Sequence, residues 1–326
     1  MNPVSPWTLR ALQLFAAAAI SLVLAVRLGL QNPFWAAIPV WVVAQPHRQD
    51  LLLRAVMRIA GTALGAAIGW AGLIWLPDEA SRMALLIGSA GIGAALAYWI
   101  GTGYSYGVVL AAITVAVVIV PSMDHPVDAT HLALDRIWCT LIGVISVTVI
   151  TFAFTPRRTD PMPPRTRAVA VTVLRHGLIA AGCALAGALW VKTVGGPPGM
   201  AGAMSLSIFS VLACSTRMPT PMMRNLVPGT LIGVLAAVAY RALDLALPDP
   251  SGSVLLLALP FLAAGSVLRT HPRTAALGLD TNMVFLLAAE AGTQGHLLQT
   301  HVLAALSLLG SAIAFTAVFR RFGHMP

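Results

Sequence analysis

The sequence predicts an all-α integral membrane protein of about twelve transmembrane helices, built as two parallel six-helix repeats. Three observations predict this fold: apolar runs long enough to cross a bilayer, a one-sided distribution of positive charge, and a pattern that the two halves share. The chain has 326 residues, of which 58% are hydrophobic and 10% are charged, and its mean hydropathy is +0.84. A soluble domain typically carries about 25% charged residues. No water-soluble fold could therefore bury this much apolar surface.

Apolar runs of roughly 17 to 25 residues recur along the chain, which is the length that crosses a bilayer. The second run of each half is short. The first run is predicted to be an uncleaved helix, because many more spans follow it. The first six runs lie near residues 9–30, 33–46, 55–75, 82–100, 104–121 and 135–155. The second six lie near residues 168–192, 199–215, 225–243, 252–268, 274–290 and 298–319.

A boundary between the halves is predicted at residues 155–167, which read TPRRTDPMPPRTR. Its prolines break helices and its arginines stay in water. The predicted organisation is a first six-helix half over residues 1–156, a cytoplasmic linker rich in proline and arginine over residues 157–167, and a second half over residues 168–326.

The positive charges predict the orientation of the spans. With the N-terminus inside, the inner loops hold 15 of the 20 Lys and Arg residues and the outer loops hold five. Most acidic residues lie in the outer loops instead. Because positive loops resist translocation across the membrane, both termini are predicted to be cytoplasmic.

The halves share a Gly-Thr-x-x-Gly element at the third span of each, at residues 61–65 and 229–233. Six helices per half is an even number, so the halves should share one orientation and be related by a pseudo-twofold axis along the membrane normal. The glycine spacing favours close helix packing. The hydroxyl groups of Thr62 and Thr230 are the candidates for facing a cavity.

Arginines near the inner ends of these elements are candidates for a substrate path. Arg54 and Arg58 lie one turn apart on the cytoplasmic approach to the third span, and Arg224 has the comparable place in the second half. One interpretation is a basic vestibule that draws anions inward, because like charges in a cleft focus the field. The alternative is anchoring to lipid headgroups. Arg136, beside Asp135, is either an outer counterpart or part of an interfacial salt bridge.

Asp280 is the only acidic residue that lies within a predicted span rather than at its edge, and Asn282 follows two residues later. A carboxylate placed in lipid is costly, so such groups usually face a partner or a water-filled cavity. Proton coupling or gating is one interpretation, and a structural pair with an arginine is the other.

The short second span carries Trp35 and Trp41 between prolines. Most tryptophans near span ends are interfacial anchors. These two are candidates for a binding surface, because discontinuous helices tend to mark binding sites.

Other classes of function are not supported by the residues. The net charge of +9 lies in short loops rather than in a soluble basic patch, which disfavours nucleic-acid binding. The histidines lack metal-ligand spacing and no catalytic or nucleotide-binding motif occurs, so neither an enzyme nor a cofactor is expected. Cys139, Cys183 and Cys214 lie in apolar runs and are expected to be packing residues.

Residues 32–70, NPFWAAIPVWVVAQPHRQDLLLRAVMRIAGTALGAAIGW, resemble the signature of the fusaric-acid-resistance and aromatic-acid-exporter family. The shared features are a short Pro-Trp span, an exit at Gln45 and Pro46, and the element Arg-x-x-Gly-Thr-x-x-Gly. In the second half only the last element is clear. The resemblance implies an inner-membrane exporter of aromatic carboxylates, working with a periplasmic adaptor and an outer-membrane channel. In larger members a long cytosolic domain follows each half, whereas only residues 157–167 are expected to separate the two halves of this chain.

The sequence and the resemblance together predict proton-coupled efflux of organic anions, with the vestibule attracting carboxylates and Asp280 carrying the proton. A passive anion channel of the same architecture and a membrane scaffold without transport are the alternatives. Collapse of a proton gradient should stop an exporter but not a channel, and a scaffold should move nothing.

Overall fold

The computed structural model describes residues 6–159, 168–247 and 253–323, and all of their regular structure is helical. The first half contains α1 (Pro6–Arg27), α2 (Phe34–Val43), α3 (Arg48–Trp75), α4 (Glu79–Ile100), α5 (Ser105–Ile119), a 3-10 turn (Val120–Met123) and α6 (Ala129–Phe152). The second half contains α7 (Ala170–Val194), α8 (Gly196–Ser215), α9 (Thr220–Ala246), α10 (Ser253–Thr270), α11 (Ala275–Ala289) and α12 (Leu298–Phe322).

Within the described residues, nine helices are long and apolar enough to cross a membrane, and α2, α10 and α11 are shorter apolar helices. The prediction of an all-α membrane protein with about twelve helices is therefore confirmed. One length was predicted wrongly, because α8 has 20 residues whereas a short run was expected. This helix begins at Gly196 with Pro197 and Pro198 in its first turn, where proline is tolerated because its missing N–H needs no partner.

The helices form two compact units, and each unit draws on both halves of the sequence. Unit 1 comprises Met1–Ala55, Trp138–Arg158 and Asn225–Ala305, and unit 2 comprises Val56–Ile137, Thr159–Arg224 and Leu306–Pro326. Unit 1 thus holds four whole helices, α1, α2, α10 and α11, together with the latter part of α6 and most of α9. Unit 2 holds the equivalent helices of the opposite halves. The division into residues 1–156 and 168–326 stays a prediction about the sequence repeat.

The core of unit 1 is the short helix α2. Nine of its ten residues are buried, and α1 and α11 pack directly against it. Gly143 of α6 allows a further close approach, because a Cβ atom there would overlap the carbonyl oxygen of Ala36 and the ring of Pro39. A ten-residue helix, about 15 Å long, is too short to span a bilayer alone. Protein rather than lipid therefore surrounds it.

Small residues bring helix backbones together in both units. In unit 2, a Cβ atom at Gly61 or Gly65 of α3 would overlap carbonyl oxygens of α5. In unit 1, a Cβ atom at Gly229 of α9 would lie 2.7 Å from the Cβ atom of Asp280 on α11. A Cβ atom at Gly233 would come about as close to α11. Both Gly-Thr-x-x-Gly elements thus pack a third helix of one half on the fifth helix of the same half.

Candidate functional site

Unit 1 contains a chamber of about 610 Å³ at one end of its helices. Five chain segments form it: the first turns of α1, the ends of α2 and α10, the start of α11, and the residues after α6. These segments are all predicted to lie on the cytoplasmic side. The lining includes Trp7, Arg10, Gln45, Phe154, Thr155 and Arg269.

Proline ends the helices that open onto this chamber. Gln45–Pro46 follows α2, Thr155–Pro156 follows α6, and His271–Pro272 follows α10. The residue before a proline is driven away from helical geometry, so each helix ends at or before it. The carbonyl groups of each last turn are left without helical partners. Side chains must therefore supply donors to these carbonyl groups, as Arg10 and Arg269 do.

Arg10 holds three of these chamber segments together. Its Nη2 donates to the carbonyl oxygen of Gln45 at 3.0 Å. Its Nη1 donates to Oγ1 of Thr155 at 3.2 Å and to Oε1 of Gln13 at 3.3 Å. Gln13 lies one turn along α1, so the guanidinium is fixed against its own helix as well.

Arg269 approaches the same end of α2 from α10. Its Nε donates to the carbonyl oxygen of Trp41, in the last turn of α2, at 3.0 Å. A cation at a helix C-terminus also interacts favourably with the helix dipole. Two arginines, from α1 and α10, therefore cap one short buried helix.

In the described part of the chain, a carboxylate compensates the charge of these two arginines at most in part. Among the described residues, neither Arg10 nor Arg269 forms an ion pair within 4.0 Å. Arg54, at the start of α3, is close enough for its charge to act on Arg269, and Asp280 on α11 is the acidic group that does so. The three guanidinium groups outnumber the one carboxylate. The chamber is therefore positive, as an anion-binding site requires.

Aromatic side chains provide apolar surface beside these charges. The ring of Trp7 meets that of His271 edge-on, with centroids 5.2 Å apart. Phe154 is 66% exposed, on the short segment after α6. Guanidinium groups next to aromatic surface match a ligand that has a carboxylate on an aromatic ring.

The candidates predicted in unit 1 occupy different surroundings. Trp41 is fully buried, and among described residues its indole Nε1 has no hydrogen-bond acceptor. Trp35 is also buried in α2. Asn282 donates through Nδ2 to the carbonyl oxygens of Gly265 at 2.9 Å and Gly278 at 2.6 Å. It therefore ties α11 to α10.

Asp280 is half-buried on α11 and faces α9 at Gly229. Thr230, the next residue of α9, is fully buried, and its hydroxyl has no acceptor among the described residues. Of the predicted residues, Trp41 accepts a hydrogen bond from Arg269 through its backbone carbonyl, and the charges of Arg54 and Asp280 act on Arg269.

The remaining candidates belong to unit 2. Arg58 is buried and donates through Nη1 to the hydroxyl of Tyr106 on α5 at 3.0 Å. Thr62, one turn further along α3, is buried beside the packed glycines. Arg136 is 1% exposed on α6, whereas Arg224 is exposed at the start of α9. These four residues do not line the chamber of unit 1.

Arg10, Arg269, Gln45 and Thr155 were not singled out from the sequence as site residues. Arg10 and Arg269 were counted only as inner positive charges, and Gln45 only as part of a helix exit. The sequence does contain a signal for these four residues, because all of them lie at the inner ends of apolar runs. No group of three or more metal-binding side chains occurs in the described part of the chain.

The chain was compared with protein families, with curated proteins and with solved structures. The model of the fusaric acid resistance protein family, FUSC, matches the chain twice, over residues 7–177 and 163–323. Two curated relatives, from Musicola paradisiaca and Escherichia fergusonii, are both named p-hydroxybenzoic acid efflux pump subunit AaeB. Each is 25% identical, over 160 and 162 residues respectively, and each alignment covers 45% of this chain and 24% of the relative. The aligned region is thus about a quarter of those proteins. No solved structure matches the chain significantly.

Proposed function

Because the chain belongs to the fusaric acid resistance protein family, we propose that it exports aromatic carboxylic acids or related organic anions across the bacterial inner membrane. The names of the two relatives support this substrate class. The observation that carries the proposal is the chamber of unit 1, where two arginines without ion-pair partners lie beside exposed aromatic surface.

The chamber is proposed to receive the substrate from the cytoplasm. The carboxylate binds between the guanidinium groups of Arg10 and Arg269, whose remaining N–H groups suit a planar, two-oxygen acceptor. The aromatic ring of the substrate packs against Trp7 and Phe154. Bonds to backbone carbonyls hold each arginine in place before the ligand arrives, so little side-chain entropy is lost on binding.

Asp280 is proposed to link transport to protons. When it is ionised, its charge offsets part of the positive charge of Arg269. When it is protonated, more of that charge is available to the substrate. Arg54 adds to the positive field and attracts anions toward the chamber. Arg58, Thr62, Arg136, Arg224, Thr230 and the α2 tryptophans remain proposed members of the path beyond the chamber.

A multi-pass inner-membrane protein with both termini in the cytoplasm is proposed from the charge distribution. The relatives are named as subunits of a pump, which supports a complex with further subunits. A periplasmic adaptor and an outer-membrane channel are proposed as these partners from the family resemblance.

Transport in inside-out membrane vesicles tests this proposal, because the cytoplasmic face is then accessible to added p-hydroxybenzoate. Wild-type vesicles should accumulate it when a proton gradient is imposed. Arg269→Gln should raise the half-saturating concentration about tenfold to a hundredfold, since hydrogen bonds to charged groups contribute about 1.5–3 kcal/mol.

Arg273→Gln is the matched control, because it removes the same charge from an exposed position four residues away. Equal effects of the two substitutions would contradict a substrate site at Arg269. Uptake that persists after an uncoupler collapses the gradient would indicate a passive channel. No uptake by any vesicle that contains the inserted protein would indicate a scaffold.

A further inference from the structure

Unit 2 contains a second cavity, an apolar groove of about 740 Å³ along α7, α8 and α12. Small residues form its floor, and larger apolar side chains form its walls. At Gly182 a Cβ atom would meet nothing within 4 Å, so this glycine keeps the groove open. The floor includes Gly182, Ala186 and Ala314, and the walls include Leu174, Leu178 and Val318.

The groove is long enough to hold a lipid chain. It extends along α7 from Val171 to Ala186. At 1.5 Å per residue this is about 22 Å, whereas one leaflet provides about 15 Å of hydrocarbon, half of the whole core. Leu174 and Leu178 are exposed along this stretch. The groove is therefore long enough for an acyl chain to cross one leaflet, and it is open beside Leu174 and Leu178.

Two arginines stand at one end of this groove. Arg175 lies near the start of α7 and Arg321 near the end of α12, and both line the cavity. Nη2 of Arg175 donates to the carbonyl oxygen of Gly323 at 3.5 Å, and its Nε has no acceptor among the described residues. Within that part of the chain neither arginine has a carboxylate within 4.0 Å. This end of the groove is therefore positive and uncompensated.

We propose that this groove is a binding site for an anionic phospholipid, whose phosphate lies between Arg175 and Arg321 and whose acyl chain lies over Gly182. Basic pockets between transmembrane helices on the cytoplasmic side bind acidic headgroups, and both arginines are predicted to lie on that side. A zwitterionic lipid brings its own cation to the same place, so it neutralises the arginines less well. The site goes beyond the proposed export function and does not depend on it.

Lipid binding to the purified full-length chain tests the proposal. Native mass spectrometry should show tighter retention of phosphatidylglycerol than of phosphatidylcholine. Arg321→Gln should reduce this preference about fivefold, which is the effect of one arginine on attachment to an anionic bilayer. Arg320→Gln is the matched control, because it removes the same charge from the neighbouring exposed residue, which does not line the groove. It should leave the preference unchanged.

A second pair of substitutions tests the acyl-chain part without changing charge. Gly182→Leu should fill the groove and weaken binding of both lipids. Gly310→Leu on α12 is its control, because that glycine also has open space around it and does not line the groove.

Equal retention of the two lipids by the wild-type protein would overturn the proposal. Equal effects of the two arginine substitutions, or of the two glycine substitutions, would also overturn it. Displacement of bound phosphatidylglycerol by p-hydroxybenzoate would assign the groove to a transported anion instead.

Discussion

Arg269 of α10 donates through Nε to the carbonyl oxygen of Trp41 in the last turn of α2, at 3.0 Å. The two residues are far apart in the chain, and this bond places a positive charge at the end of a helix that is too short to span a bilayer. Only one edge of the guanidinium is used in this bond. The other N–H groups of Arg269 are therefore available to the chamber.

Arg269→Lys should separate charge from geometry at this site. Lysine keeps the positive charge, but its single ammonium cannot form the planar fork that contacts Trp41 and a carboxylate together. We expect binding of p-hydroxybenzoate, measured by calorimetry in detergent, to be weaker than in the wild type and tighter than in Arg269→Gln. Affinity of the lysine variant equal to that of the glutamine variant would show that charge alone contributes nothing.

The helices could be predicted from the sequence because each span depends only on its own apolar run. The short α2 was visible for the same reason. The length of α8 could not be predicted, because residues 195–198, with two glycines and two prolines, are typical of a loop rather than of a helix start. Here Gly195 and Gly196 have φ values of +66° and +59°, and the prolines begin the next helix. Glycine adopts such values without strain, so chain reversal and a new helix fit into four residues.

The chamber could not be predicted in the same way. Arg10, Gln45, Thr155 and Arg269 converge only because α1, α2, α6 and α10 share one compact unit, and that grouping mixes the two halves of the sequence. Charge counting placed these residues on one side of the membrane but could not say which would be neighbours. Asp280 could be identified because a carboxylate within an apolar run can be recognised without knowing which residues surround it.

Gly143→Ala should destabilise unit 1. The new methyl group would overlap the carbonyl oxygen of Ala36 and the ring of Pro39. Overpacking of this kind costs about 1–3 kcal/mol, which should appear as a lower midpoint of thermal unfolding. Gly310→Ala is the control, because nothing lies within 4 Å of its Cβ position. It should leave the midpoint unchanged or raise it, since alanine favours helix by about 1 kcal/mol over glycine.

Arg241→Gln should destabilise the opposite end of unit 1 without changing the chamber. Arg241 is buried and donates to the carbonyl oxygens of Ala289, Glu290 and Thr293 and to the carboxylate of Asp244. Breaking such a network should cost about 3–5 kcal/mol in unfolding free energy. In the protein that remains folded, affinity for p-hydroxybenzoate should be unchanged. Reduced affinity at normal stability would instead place Arg241 in the substrate path.

Cysteine labelling in intact cells should establish the orientation of the spans. A cysteine in place of exposed Pro77 should react with a membrane-impermeant maleimide, and one in place of exposed Arg157 should not. Background should be low, because Cys139, Cys183 and Cys214 are all buried. Labelling at residue 157 but not at residue 77 would reverse the predicted topology.

Asp280→Asn should separate anion binding from proton coupling. The amide has nearly the size of the carboxyl group, so packing against Gly229 should be preserved. Loss of the negative charge leaves the charge of Arg269 less compensated. Binding of p-hydroxybenzoate should then tighten about fivefold, as expected for about 1 kcal/mol of charge interaction at a partly solvated site. An amide cannot bind and release a proton, so accumulation driven by a proton gradient should be lost while downhill movement persists.

The two measurements distinguish the roles open to Asp280. Tighter binding with uphill transport intact would leave Asp280 as a group that only tunes the charge of Arg269. Unchanged binding with uphill transport lost would place the proton site at Asp280 but separate it from the substrate arginine. Asn282→Asp is a useful comparison, because Asn282 is tied to the carbonyl oxygens of Gly265 and Gly278. A carboxylate there would face two acceptors, so this variant should lose stability rather than gain a second coupling site.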